Sequence, residues 1–180
     1  MNHTESFVYV AYSNTNILIP RENVYTVYSI SDLNALGPIN WENPYKIEFD
    51  GEMIPTINID YYSSLFGEEN KSSKVNTVLI IKNKEKHIIS KGETLLKRAE
   101  NLRNTWAIDF LFTSPYVALI TSNDCFVKSV DAEKLSFFSK IYSSFFKNLG
   151  FLSCFFEEEK LSLSLDVPIF FREAKQRGFL

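Results

Sequence analysis

The sequence predicts a mainly β fold, with short strands rolled into closed or nearly closed β barrels and one helix packed against them. Three observations carry this reading. The first two-thirds of the chain is a series of β-branched and aromatic runs separated by turn clusters. A three-and-four spacing of apolar residues is clear only once, late in the chain. The 180 residues are 45% hydrophobic and 23% charged, a composition that supports one domain, or two small lobes sharing a core, without a metal or disulfide staple.

The elements follow in order. Phe7 to Tyr12, the turn cluster Ser13-Asn14-Thr15-Asn16 and Ile17-Leu18-Ile19 read as a hairpin. Val24, Tyr25, Val27, Tyr28 and Ile30 give another β-rich run, and Leu33 to Pro44 is a connection. Tyr45 to Asp50 and Glu52 to Asn58 flank Gly51, and Pro55 predicts that the second of these strands is an edge strand or bulged. Asp60 is placed to cap a short helix closed by Gly67. Val75 to Ile81 and His87 to Ser90 read as a second hairpin, and Leu95 to Leu102 fits a strand or a helix equally. Trp106 to Phe112, Tyr116 to Thr121 and Phe126 to Val130 read as strands.

The helix signal is Asp131 followed by Leu135, Phe138, Ile141, Tyr142, Phe145, Phe146 and Leu149, ending at Gly150. Phe137 and Phe138 are adjacent, so one of them must point away from the core. Beyond it, Leu161, Leu163 and Leu165 alternate, and a basic tail runs from Arg172 to Arg177. No internal repeat stands out.

Charge and motif content exclude several function classes. Lys+Arg of 19 against Asp+Glu of 22 leaves a net charge of −3, which argues against a nucleic-acid partner. The two cysteines, Cys125 and Cys154, form no CxxC pair and read as reduced thiols of a cytoplasmic protein. No run has the length and apolarity of a membrane span, so membrane insertion is not expected. The glycines at 37, 51, 67, 92, 150 and 178 are never closer than fourteen residues, and a phosphate-cradling loop needs them close together. GxSxG and HExxH are also absent, so no cofactor, metal site or catalytic residue is expected.

His3 sits near the terminus and His87 beside a Lys-rich turn, where a solvated role outweighs a catalytic one. Cys125 has no histidine placed to activate it. Glu68-Glu69 and Glu157 to Glu159 read as solvated faces. The 16 Phe, 9 Tyr and 2 Trp read first as core packing, with a protein-binding surface as the other use of aromatics.

Residues Ile47-Glu48-Phe49-Asp50-Gly51-Glu52-Met53-Ile54-Pro55-Thr56-Ile57-Asn58-Ile59-Asp60 resemble the signature of the CheW-like family of chemotaxis coupling proteins. That signature runs as an apolar residue, Asn-Leu-Arg-Gly, a variable residue, two apolar residues, Pro, two apolar residues and Asp-Leu. Pro20 and Val24 are similar to the family's Pro-x-x-x-Val segment, and Asp131-Ala132-Glu133-Lys134-Leu135 to its Asp-Pro-x-Lys-Leu. The resemblance covers roughly residues 6 to 146. It implies two small five-stranded β barrels side by side with a C-terminal helix and a short tail. The expected division is a CheW-like domain over residues 1–150 and a C-terminal extension over 151–180, made of a strand and a short helix.

The resemblance also implies a non-enzymatic, cofactor-free adaptor that couples chemoreceptor cytoplasmic tips to a histidine kinase. The family's Arg before the signature glycine is Asp50 here, its Glu two residues after the valine is Thr26, and a glycine is Tyr45. The expected partner-binding residues are therefore Val24, Thr26, Tyr45, Phe49 and Asp50, on a scaffold whose partner set has changed. The alternative is a small-ligand-binding or enzymatic β-barrel protein, which needs a pocket with convergent polar groups. Self-association through the aromatic helix or the tail is a further expectation.

Overall fold

A computed structural model describes residues 4–29, 32, 46–64, 74–82, 116–157 and 159–176. The expected elements at 33–44, 87–90, 95–102 and 106–112, with His3, His87 and Tyr45, lie outside the described residues. The strands are β1 (Thr4–Ala11), β2 (Thr15–Pro20), β3 (Val24–Ser29), β4 (Lys46–Phe49), β5 (Glu52–Asn58), β6 (Thr77–Lys82), β7 (Tyr116–Thr121), β8 (Cys125–Asp131), β9 (Ser136–Phe137), β10 (Phe151–Glu157) and β11 (Lys160–Leu165). The helices are α1 (Asp60–Ser64), α2 (Lys140–Asn148) and α3 (Val167–Gln176).

Two sheets result, in the orders β8-β1-β2-β11-β10-β9 and β3-β6-β7-β5-β4. Five strands of the first match the five of the second one for one. β11 returns parallel to β2, with Leu163 opposite Ile17, as β5 returns parallel to β7, with Ile57 opposite Leu119. A helix follows each returning strand. The outer strands are exchanged: β3 follows β2 in the chain but pairs with β6, and β8 follows β7 but pairs with β1. Each lobe thus donates a strand to the other. This repeat is invisible in the residue pattern because strand-to-strand pairing, and not residue identity, is what recurs.

Hydrophobic runs explain which strands are central. Ile17-Leu18-Ile19, Val78-Leu79-Ile80-Ile81 and Val117-Ala118-Leu119-Ile120 are apolar at every position and buried on both faces. Ile17, Leu79, Leu119 and Leu163 face a core shared between the sheets. Val78, Ile80, Ala118 and Ile120 face the interior of the second lobe, with Ile47, Phe49 and Ile54. Phe7, Tyr9, Leu18, Val130 and Phe155 fill the first lobe.

Three expectations are corrected. The sheets form no closed hydrogen-bonded barrel among the described residues, and the first has six strands, not five. Each nevertheless rolls until side chains meet across its open side, in the first sheet between the edge strand β8 and β10, the strand inside the short outer β9. There Lys128 of β8 reaches Glu157 of β10 at 2.6 Å. Secondly, β5 is interior, between β4 and β7. Pro55 is tolerated there because the ladder to β7 begins one residue later, at Thr56. Thirdly, the late helix starts at Lys140 and not after Asp131. Asp131 caps a 3₁₀ turn, Ala132–Lys134, by accepting from Glu133 N, and Ser136–Phe137 pairs with β10. Leu135 and Phe138 carry helical spacing but pack from a turn and a strand end.

Phe137 points outward, while Phe138 stacks on Phe146 with ring centroids 4.1 Å apart. The segment after Gly150 supplies two strands before its helix. β11 sits between β2 and β10. Its serines are buried with Leu163 and Leu165, and Asn16 Nδ2 donates to Ser162 Oγ at 3.0 Å.

Candidate functional site

The hairpin β4–β5 turns in two residues, Asp50 and Gly51, with φ of 53° and 76°. Both central residues at positive φ make the primed hairpin turn that Asp-Gly favours, whose twist matches that of the strands. Along β4, Lys46 and Glu48 face solvent while Ile47 and Phe49 point in. Asp50 is therefore presented at the tip and Phe49 is buried directly behind it.

Phe49 meets three tyrosines. Its ring centroid is 5.9 Å from Tyr25, 6.5 Å from Tyr28 and 5.2 Å from Tyr116, each edge to face. Tyr25 and Tyr28 belong to β3, the opposite edge of the same sheet, so the cluster fastens the rolled sheet where, among the described residues, no ladder does. Edge-to-face geometry sets the positive rim of one ring on the negative face of the next. Tyr25 is half exposed, lies 5.3 Å from Tyr116, and carries Lys82 Nζ 5.1 Å from its ring centroid. The phenol of Tyr116 is raised above its ordinary range, chiefly by burial and then by Tyr25, Asp50 and Glu52. That end of the lobe is an aromatic surface with an acidic hairpin tip and Lys82 beside it.

The expected partner-binding residues divide here. Phe49 and Asp50 meet at this end, one inside and one exposed. Val24 is buried in the core shared by the two lobes, and Thr26 is half-buried on β3. A register shift between Val24 and Thr26 turns Tyr25 out between them. Tyr25, Lys82 and Tyr116 were not legible as site residues, because they come from strands far apart in sequence. The Asp-Gly dipeptide between two apolar runs was the available signal for the turn.

A second polar group joins the lobes. The Tyr12 hydroxyl donates to Asp60 Oδ1 at 2.8 Å, and the Thr121 hydroxyl donates to the same oxygen at 2.5 Å. Ser122 N–H donates to Asp60 Oδ2 at 2.7 Å. The Asp60 carboxylate thus accepts from β1–β2 and β7–β8 residues far from α1 in sequence. Asn58 Oδ1 accepts from Asp60 N at 2.9 Å, at the start of α1. In the matching place of the other lobe, Asp166 Oδ1 accepts from Ile169 N at 3.2 Å and caps its helix. Buried with its donors in place, Asp60 holds Tyr12 of the first lobe against β7 of the second.

The nearby Cys125 thiol is pushed up to about 12, first by burial and also by Asp124 and Asp60. That is the opposite of an activated nucleophile. Among the described residues no group of three or more His, Cys, Asp or Glu is arranged to hold a metal ion, and no helix is long and apolar enough to cross a membrane.

No family model matches the chain, and no curated protein matches it. Among solved structures, it is similar to the crystal structure of scaffolding protein TtCheW from Thermoanaerobacter tengcongensis. The TM-score is 0.51 at 12% sequence identity, over 92% of this chain and 90% of that one. At that identity the likeness is one of fold, and the fold of this chain is CheW-like.

Proposed function

We propose that this chain is a non-enzymatic scaffold that works by protein–protein contact, as a chemotaxis coupling protein does. In this reading it acts in the cytoplasm and joins a chemoreceptor's cytoplasmic tip to a histidine kinase. The observation that carries the proposal is the likeness of fold to a scaffolding protein over nearly all of both chains. Scaffolds of this kind need rigid, exposed surface and no reaction chemistry, which fits a molecule with three buried apolar clusters and a thiol held neutral.

Thr26, Tyr45 and Asp50 are the positions at which contact chemistry differs from the family pattern, and Tyr25 joins them as an exposed aromatic. Phe49 and Val24 act from inside by fixing β3 and the hairpin. A charge reversal at a docked surface disfavours the older partner, so the partner set follows Asp50.

The test is a titration of the purified chain against a soluble chemoreceptor fragment and a chemotaxis histidine kinase, followed calorimetrically. Binding to either with a Kd of about 10 µM or tighter, in the range of specific contacts, supports the scaffold reading. No heat and no complex with either, for a chain that circular dichroism shows to be folded, overturns it.

A further inference from the structure

Helix α2 turns its apolar side outward. Ile141 is 82% exposed, Tyr142 61% and Phe145 55%, and Phe137 just before the helix is 78% exposed. Toward the protein the helix offers Phe146, stacked on Phe138, with Leu149 buried at its C-cap. Ile141 and Phe145 are one turn apart, and Tyr142 and Phe145 are three residues apart, so the three form one stripe. Side chains of this kind carry 150–250 Å² each, so the four leave on the order of 500 Å² of mostly apolar surface uncovered. Single exposed apolar residues are ordinary, whereas a patch of this size marks an interaction site.

We infer that α2 is the two-fold contact of a weak homodimer, the stripe of one copy covering the stripe of another. An isologous contact needs only a surface complementary to itself, and an apolar stripe meets that need. Two such faces remove on the order of 1,000 Å² from water, the floor for a specific interface and the range of transient ones. The charges also bear on the occupant. α2 carries Lys140 and Lys147 and no acidic residue, while the chain as a whole is at −3. That net charge repels a second copy at long range as it does any anionic partner, and salt screens this repulsion too. In the dimer the lysines of both copies gather at the rim and repel, so screening by salt tightens the contact. Docking on an anionic surface through the same lysines would weaken with salt.

The test is sedimentation velocity on the full chain from about 1 to about 200 µM, at low and high sodium chloride. The expected result is a reversible monomer–dimer equilibrium in the tens of micromolar, tighter at high salt. Ile141→Glu and Phe145→Glu are each expected to weaken it at least tenfold, with unchanged circular dichroism and Tm. Phe156→Glu, at another exposed phenylalanine on β10, is expected to leave it alone. A chain that stays monomeric at both salt concentrations overturns the inference. So does a dimer that survives Ile141→Glu, one broken by Phe156→Glu, or one that salt dissociates.

Discussion

Phe49 and Tyr25 pack edge to face, centroids 5.9 Å apart at 77°, although β4 and β3 are opposite ends of their sheet. Among the described residues, this five-stranded sheet rolls far enough to bring its edges together with no ladder between them. Aromatic side chains then do what hydrogen bonds do in a closed barrel. The site and the fold share residues for this reason, since the ring that fastens the lobe lies directly behind the exposed Asp50.

Phe49→Ala is expected to destabilise the protein by about 3 kcal/mol, the lower part of the range for a buried phenylalanine, because the exposed side of the cluster can relax. Tyr25→Ala is expected to cost about 1 kcal/mol, the worth of one half-exposed ring pair. Urea denaturation of the two variants checks the order. Equal losses would mean that Phe49 does not fasten the lobe.

Removing Asp60 leaves the Tyr12 and Thr121 hydroxyls and Ser122 N–H without this acceptor. Asp60→Ala is expected to cost about 3 kcal/mol, and Asp60→Asn less, since one carbonyl oxygen remains. Tyr12→Phe alone is expected to cost about 1 kcal/mol, and close to nothing further in the Asp60→Ala background. A double-mutant cycle on denaturation free energies measures that coupling, and additive losses would dissolve the proposed link between the lobes.

The glycines at positive φ differ in their surroundings. A Cβ on Gly51 would meet nothing within 4 Å, so Gly51→Ala pays only the left-handed backbone cost of about 1 kcal/mol. A Cβ on Gly150 would lie 2.8 Å from Phe170 N and 2.7 Å from Phe170 Cβ. There α3 rests on the chain, and Asp166 N donates to Gly150 O at 2.9 Å. Gly150→Ala is expected to cost about 3 kcal/mol or more, because overpacking adds to the backbone term. Thermal melts of both variants separate the two effects.

Burial raises the Cys125 thiol from near 9 to about 12 and the Tyr9 phenol from near 10 to about 12. Both groups are neutral in the folded protein below that range, whereas the unfolded chain begins to lose these protons near pH 9. The unfolded state then binds fewer protons, so stability falls as pH rises from about 9 to about 12 and is insensitive to these groups below that. Urea midpoints across that interval check the sign. In the folded protein at pH 8, Cys125 is expected to react with a thiol reagent far more slowly than in urea.

Much of the fold was legible because central strands write themselves as unbroken apolar runs. Ile17-Leu18-Ile19 and Val78 to Ile81 have the pattern of strands and are buried on both faces. β11 was harder to place, since Leu161, Leu163 and Leu165 alternating with serine imitate a half-exposed strand. Ser162 is buried all the same, paired with Asn16, and only the parallel partner β2 reveals why. The helical spacing from Leu135 misled for a related reason, as pairing of Phe137 with Ser153 overrides local periodicity. At the site, the sequence yielded the hairpin tip but not the tyrosines behind it, which a rolled sheet gathers from distant segments.

The most direct test of the scaffold reading is a pull-down with tagged protein from the source cell's extract, read by mass spectrometry. Wild type is compared with Asp50→Arg and Asp50→Asn. Asparagine tolerates the left-handed turn that Asp50 adopts, so that variant removes the charge and keeps the hairpin. The expected result is recovery of a histidine kinase and chemoreceptor tails, with amounts that change for both variants while the folded fraction does not. Recovery of neither partner by wild-type protein, or of a metabolic enzyme in their place, would contradict the scaffold function and leave the CheW-like fold alone.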